Sequence, residues 1–258
     1  MVPDDARDGR LDPAAVRHLP KQAMVLAAGL GLRMRPLTEH LPKPLLPVAG
    51  KTMLDRILDA LAAAGVDHAV VNMHHLPQKI RDHAAARAGR LPSVTLSDES
   101  AALLDSGGGV KRALPFLGDG ALFVLNGDMV WRDRGADALQ RLAMAFDPAR
   151  MDGILLLVPR EAAHGYDGAG DFRMDDAGRL TRRGDEMDAP YVFTGIQILK
   201  ADAVCAIPDE VFSLNRVYDR LIAEGRLFGL VHDGDWFHVG TPEALRATDA
   251  HLSGDGTA

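Results

Sequence analysis

The chain has almost no cysteine: Cys205 stands alone among 258 residues. A lone thiol excludes an internal disulfide framework and suits a reducing compartment, so Cys205 reads as a small buried apolar residue and not as a catalytic thiol. Long hydrophobic runs are missing too. No segment approaches the roughly 18 apolar residues of a membrane-spanning helix, and the N-terminus carries no apolar signal core. Both absences predict a cytoplasmic protein that works away from membranes. Positive charge is not in surplus: 29 Lys and Arg stand against 36 Asp and Glu, a formal net charge of -7. That balance argues against a nucleic-acid partner, whose phosphates are met by surplus cations. No heptad pattern or interface stripe appears, which leaves the oligomeric state open, and no C-terminal hexapeptide repeat announces an added β-helix.

What remains is an ordinary globular composition, 47% apolar and 25% charged, long enough for one large α/β domain. Residues 1–20 are rich in Asp, Arg and Pro and read as a poorly ordered extension. The single domain then runs over 21–258, in two halves at about 21–158 and about 159–250, which the resemblance described below assigns to nucleotide and sugar. Met53 to Ala64 places apolar residues at helical spacing and stops at Gly65, and Val66 to Met73 returns as a strand. Strand, helix and strand in that order make a right-handed crossover with a parallel pair. Further helices are predicted over Ile80–Ala88, Gly135–Phe146 and Ser213–Glu224. Strands are predicted at Val94–Leu96, Ala121–Leu125, Gly153–Val158 and Leu227–Val231, with a hairpin over Phe172–Arg183.

The most informative stretch is Met24 to Pro47, MVLAAGLGLRMRPLTEHLPKPLLP. A short apolar strand ends in a turn where Gly29 and Gly31 let the backbone bend and approach a ligand. Arg33 follows with a planar fork of donors, and Lys43 with a movable point charge. Open α/β sheets bind ligands beyond their strand ends, so the pair points to a polyphosphate site. Two better-known glycine motifs do not apply. GxGxxG needs a small residue where Met34 stands, and GxxxxGK[ST] is absent.

Four later stretches carry further candidates. Asn72, His74 and His75 follow a strand at the ligand-bearing edge. With His83, the histidines lack the spacing and the carboxylate or thiol partners of a structural zinc set, and read as loop residues. LDSGGGVKRALP, from Leu104, exposes backbone donors and acceptors at Gly107 and Gly108 before a helix, an arrangement suited to a planar base. ALFVL delivers Asn126, Gly127 and Asp128 at a strand end, where a carboxylate is placed to hold Mg²⁺ between phosphates. Thr194 and Gly195 interrupt the strand Tyr191–Leu199. In WFHVGTPE, from Trp236, Thr241 caps a helix with Pro242 at its first position.

The combination AAGxGxRMxPxT, PKPLLPVAG, NGD and a closing WxxVGTP resembles the sugar-1-phosphate nucleotidyltransferases, in that order and across roughly residues 21–250. The resemblance implies a Rossmann-like three-layer αβα sandwich with a mostly parallel central sheet, the nucleotide-diphospho-sugar transferase fold. It implies a nucleotide site of Ala28, Gly29, Gly31, Leu32, Arg33 and Lys43, with Gly107 and Gly108 at the base. Asn126, Thr194 and Gly195 would lie beside the sugar. Arg33, Lys43 and Asp128 would be catalytic, with Mg²⁺ held by Asp128 and by the position of His238. The chain departs from the pattern there, because most members carry a second aspartate where His238 stands. Asp235 is the alternative, although strand alternation turns it to the opposite face. Length, VNMHH, the LDSGGGVKRALP stretch and the HVGTPE ending look most like the short bacterial N-acetylmuramate-1-phosphate uridylyltransferases of cell-wall recycling, which implies small-molecule substrates, UTP and N-acetylmuramate 1-phosphate. A mannose-1-phosphate guanylyltransferase or another such enzyme is the alternative; a non-catalytic sugar-nucleotide-binding subunit is the alternative of another class.

Overall fold

The computed structural model describes residues 19–254; most of the extension expected over residues 1–20 lies outside them. The elements in chain order begin with β1 (Gln22–Leu26), the hairpin β2 (Pro47–Val48) and β3 (Lys51–Thr52), and α1 (Met53–Ala63). β4 (His68–Met73), α2 (Pro77–Ala86), β5 (Ser93–Asp98), α3 (Asp105–Leu117) and β6 (Ala121–Asn126) follow. Next come β7 (Val130–Arg132), α4 (Ala138–Ala145), β8 (Gly153–Pro159), β9 (Ala163–His164), β10 (Phe172–Met174) and β11 (Leu180–Arg182). The chain closes with β12 (Tyr191–Lys200), α5 (Ala201–Cys205), α6 (Asn215–Ala223), β13 (Leu227–Val231), β14 (Asp235–Phe237) and α7 (Pro242–Gly254).

Nine strands make the main sheet, in the order β11-β10-β12-β6-β1-β4-β5, with β8 also paired to β12 and β13 to β8. β6, β1, β4 and β5 run parallel, while β12 is antiparallel to both β6 and β8. Side-chain alternation along β1 shows why helices cover both faces. Ala23 and Val25 join the cluster formed by Leu54, Ile57 and Leu61 of α1 and Leu139 and Leu142 of α4. Met24 joins the opposite cluster, with Val110 and Ala113 of α3 and Val217 and Leu221 of α6. A strand buried on both faces reads as a continuous apolar run, which is what MVLAA is. The expected layered α/β architecture with a largely parallel sheet is therefore present.

The helix starts follow local chemistry. Thr52 Oγ1 accepts the Asp55 N–H at 3.0 Å and caps α1. Pro77 opens α2 at the first turn, three residues before the expected start. Among the described residues no helix is long and apolar enough to cross a membrane.

Two expectations are corrected. Cys205 is exposed: α5 buries Ala201, Ala203 and Val204, which leaves position 205 on the outward side. The glycine run is not a loop before a helix. Gly107, Gly108 and Gly109 lie in the first turns of α3 and are buried. A Cβ on Gly107 would overlap the Phe212 ring, and one on Gly108 the Glu210 carbonyl. Both N–H groups donate to Phe212 O, at 2.8 and 3.0 Å. Close helix packing, not ligand access, accounts for glycine at these two positions, and their backbone donors are not free to meet a base.

Candidate active site

The four parallel strands end at one edge, and residues at or next to those ends line one cavity of about 690 Å³: Leu26 from β1, Asn72 from β4, Glu99 just beyond β5 and Asn126 from β6. The rest of its wall includes Ala28, Gly29, Gly31, Leu32, Arg33, Lys43 and Asp128. Gly31 needs its glycine: φ is +61°, and a Cβ would lie 3.0 Å from Thr38 Cγ2. Thr38 Oγ1 donates to Gly31 O at 2.8 Å, which ties the loop to the short turns carrying Arg33 and Lys43. Gly127 meets a different constraint. Its N–H donates to Leu26 O at 2.8 Å, and a Cβ would lie 2.7 Å from that same oxygen.

Lys43 Nζ and Asp128 Oδ2 stand 2.5 Å apart, with the two side chains 12% and 30% exposed. Arg33 is exposed, and its guanidinium has no hydrogen-bond or ion-pair partner among the described residues. A second cavity, of about 240 Å³, adjoins the first and shares Arg33, Lys43, Asn126 and Asp128 with it. Its far wall is Tyr166, Asp171, Phe193, Gly195, Trp236 and His238. Gly195 has φ +83°, and a Cβ there would lie 2.7 Å from both Asn126 Nδ2 and Met129 Sδ.

His238 reaches the site through a separate three-stranded sheet, β7-β14-β9. Its N–H donates to His164 O at 2.8 Å, and its ring meets that of Tyr166 edge-on at 6.0 Å. Gly240 leaves it room, since a Cβ there would lie 2.6 Å from its Nε2. Burial first, then the charges of Lys43 and Arg33, pushes the His238 pKa below that of an ordinary histidine, with Asp128 and Asp167 opposing. Burial and the two cations thus favour the neutral imidazole. Asp235 is elsewhere. It is buried in β14 and pairs with Arg132 at 2.5 Å and Arg134 at 2.6 Å. Burial alone would raise its pKa, but the two guanidinium groups outweigh that and hold it at about 2.

Of the residues singled out in the sequence, Ala28, Gly29, Gly31, Leu32, Arg33, Lys43, Asn126 and Asp128 share the larger cavity, and Gly195 and His238 line the smaller. Ala28 has no free N–H to offer, because it donates to Asn72 Oδ1 at 3.2 Å. Thr194 is corrected. It is fully buried, and its Oγ1 donates to Leu156 O at 2.8 Å. It lies within the register shift of β12 between Phe193 and Gln197, where the ladder is locally disrupted and its hydroxyl meets the Leu156 carbonyl. Thr194→Val leaves that carbonyl unpaired. It should cost about 1–3 kcal/mol, read as a fall of several degrees in Tm.

Two of the histidines follow β4 and are engaged within the fold, His74 Nδ1 with Glu99 O at 2.7 Å and His75 Nε2 with Thr38 O at 2.8 Å; His83 is no loop residue but lies in α2, its Nε2 3.1 Å from the Asp55 carboxylate. Glu99, Tyr166 and Asp171 were missed as site residues. Nothing in their immediate neighbours marks them, since each reaches a cavity only when distant strands meet.

Chemically, the site offers two cations, one carboxylate and one amide where the two cavities join, with the His238 imidazole on the wall of the smaller, and no Ser or Cys paired with a histidine base among the described residues that line them. Residues 22–253 match the family described as "Nucleotidyl transferase". The chain is 42% identical over 236 residues to the N-acetylmuramate alpha-1-phosphate uridylyltransferase of Caulobacter vibrioides, covering 91% of this chain and 98% of that one. It is 33% identical over 230 residues to the protein of the same name from Neisseria meningitidis serogroup B, covering 89% and 97%. Among solved structures, HddC from Yersinia pseudotuberculosis complexed with GMP-PN superposes with a TM-score of 0.71 at 20% identity, over 90% of this chain and 99% of that one. That likeness concerns the fold. With a family match over nearly the whole chain and two relatives above 30% identity, this protein belongs to the nucleotidyl transferase family.

Proposed function

We propose that the chain joins UTP and N-acetylmuramate 1-phosphate, giving UDP-N-acetylmuramate and pyrophosphate, a cytoplasmic step of cell-wall recycling. The observation that carries the transfer is the sharing of Arg33, Lys43, Asn126 and Asp128 by the two cavities. The larger cavity takes the nucleoside triphosphate, the smaller takes the sugar phosphate, and the α-phosphorus lies at their junction. The choice of base and sugar rests on the names of the two relatives.

A sugar-phosphate oxygen attacks the α-phosphorus, and pyrophosphate leaves in line. Such transfers are accelerated by positioning and charge neutralisation, without a covalent intermediate. The unpaired Arg33 guanidinium holds the departing phosphates in a bidentate grip. Lys43 neutralises charge at the reacting phosphate, and Asn126 and Gly195 orient the sugar. Asp128 fits a divalent cation, because its Oδ1 has no hydrogen-bond partner among the described residues and Mg²⁺ takes one or two carboxylates plus phosphate oxygens. The neutral His238 imidazole is a second donor, softer than a carboxylate. When bound, Mg²⁺ would neutralise phosphate charge there.

Pyrophosphate release tests this reading, with UTP, GTP, dTTP and CTP crossed against the 1-phosphates of N-acetylmuramate, glucosamine, glucose and mannose. Turnover is expected only with UTP and the muramate phosphate. Another productive pair would keep the mechanism and replace the substrates. Nucleotide binding without turnover on any pair would leave a sugar-nucleotide-binding subunit.

A further inference from the structure

Behind the larger cavity lies a buried polar pair that the transfer itself does not use. Asn72 and Glu99 line the cavity wall yet are only 2% and 1% exposed. Asn72 Oδ1 accepts two loop N–H groups, from Ala27 at 2.6 Å and Ala28 at 3.2 Å. Its Nδ2 donates to Glu99 Oε1 at 2.8 Å.

An amide has a donor end and an acceptor end, so the partner at one end decides what the other presents. Glu99 offers an acceptor, which turns Nδ2 toward it and leaves Oδ1 for the loop. In either protonation state a carboxyl can accept this bond. Burial pushes the Glu99 pKa up, while Asn72, the Leu104 amide, Arg112 and His74 draw it down.

Glu99 is itself held in place. Its N–H donates to Met73 O at 2.9 Å, and its carbonyl engages His74 Nδ1 at 2.7 Å. Its Oε2 is buried without a hydrogen bond of ordinary geometry, a cost the fold carries at this one wall. Helix α3 makes room for the pair, since a Cβ on Gly109 would lie 2.8 Å from Asn72 Nδ2 and 3.0 Å from Glu99 Oε1.

We propose that Glu99 is a positioning residue for the nucleotide: acting through Asn72, it fixes the peptide groups of Ala27 and Ala28 and so sets the glycine loop against the nucleoside triphosphate. The inference rests on the nucleotidyl-transfer reading above. It separates the two substrates, because the loop lines only the larger cavity. Disturbing the pair raises the KM for nucleotide and leaves that for sugar phosphate alone.

The test uses the full chain and three variants: Glu99→Ala, Asn72→Asp, and the exchange Asn72→Asp with Glu99→Gln. Asn72→Asp alone removes the amide donor to Glu99 Oε1 and, at a pH high enough to ionise both carboxyls, makes the pair repel, so UTP binding is read there. In the exchange, the new amide at position 99 donates to the new carboxylate at position 72. The other oxygen of that carboxylate still accepts from Ala27 and Ala28, so the relay is rebuilt with its direction reversed. Each single variant should raise the KM and Kd for UTP about tenfold or more, the scale of one lost buried hydrogen bond. The exchange should recover UTP binding to within about threefold of wild type. The KM for sugar phosphate should stay put throughout.

Unaltered UTP binding in both single variants overturns the proposal. So does an exchange variant that binds UTP no better than Asn72→Asp, a comparison that holds even if Glu99→Ala fails to fold, because those two are matched in volume. If wild type binds no nucleoside triphosphate, the functional reading falls and takes this inference with it. If wild type binds UTP and the variants bind it equally, only the inference falls.

Discussion

Lys43→Ala should lower kcat by about two to three orders of magnitude, the usual cost of removing one preorganised charge from a transfer site. Lys43 Nζ lies 2.5 Å from Asp128 Oδ2 at the junction of the two cavities, the place the proposed transfer assigns to the attacked phosphorus. Its effect on folding should be small. Asp128 keeps 30% of its side chain exposed, so water can replace the lost partner, and such pairs contribute about 0–1 kcal/mol. Tm should therefore move by about 3 °C at most. Steady-state pyrophosphate release and a thermal melt on the same preparation check both statements. Unchanged turnover would remove Lys43 from the mechanism.

Asp128→Asn should also depress kcat by about a hundredfold or more, with a signature that Lys43→Ala lacks. An amide oxygen binds a hard divalent cation more weakly than a carboxylate does. The Mg²⁺ concentration giving half-maximal rate should therefore rise in the Asp128 variant and stay near the wild-type value in the Lys43 variant. Direct Mn²⁺ binding provides a readout independent of turnover. Equal metal requirement in the two variants would mean that Asp128 serves only to hold Lys43.

The same contrast bears on the closing motif. His238 and Asp235 are three residues apart, and the sequence offers both as companions to Asp128. In β14 the Asp235 side chain turns inward to Arg132 and Arg134. The chain leaves the strand at Phe237, which delivers His238 to the cavity of Arg33, Lys43 and Asp128.

The sequence by itself determined the candidate cations, the candidate metal carboxylate and the layered fold, because each rests on a local signal. Apolar runs such as MVLAA and ALFVL end in glycine or in NGD, and a parallel strand end is where such sheets bind ligands. Arg33, Lys43 and Asp128 followed from those ends. It also determined the start of α1 at Met53 and the cap at Thr241, whose Oγ1 accepts the Ala244 N–H at 3.2 Å, since capping is a matter of a few neighbouring residues.

Only the tertiary structure decided what the glycines and buried polar groups are for. Gly107 and Gly108 read as open backbone because a sequence does not reveal the Phe212 ring and the Glu210 carbonyl that press on them. Thr194 read as a sugar contact because its partner, the Leu156 carbonyl, comes from another strand. Cys205 read as buried because a free cysteine is among the most buried residue types, and only the packing of Ala201, Ala203 and Val204 turns position 205 outward. The Asn72–Glu99 pair was invisible for the same physical reason. Its meaning lies in a hydrogen bond across 27 residues of chain and two more across 45 and 44, and bonds of that range exist only once the sheet has brought four strand ends to one edge.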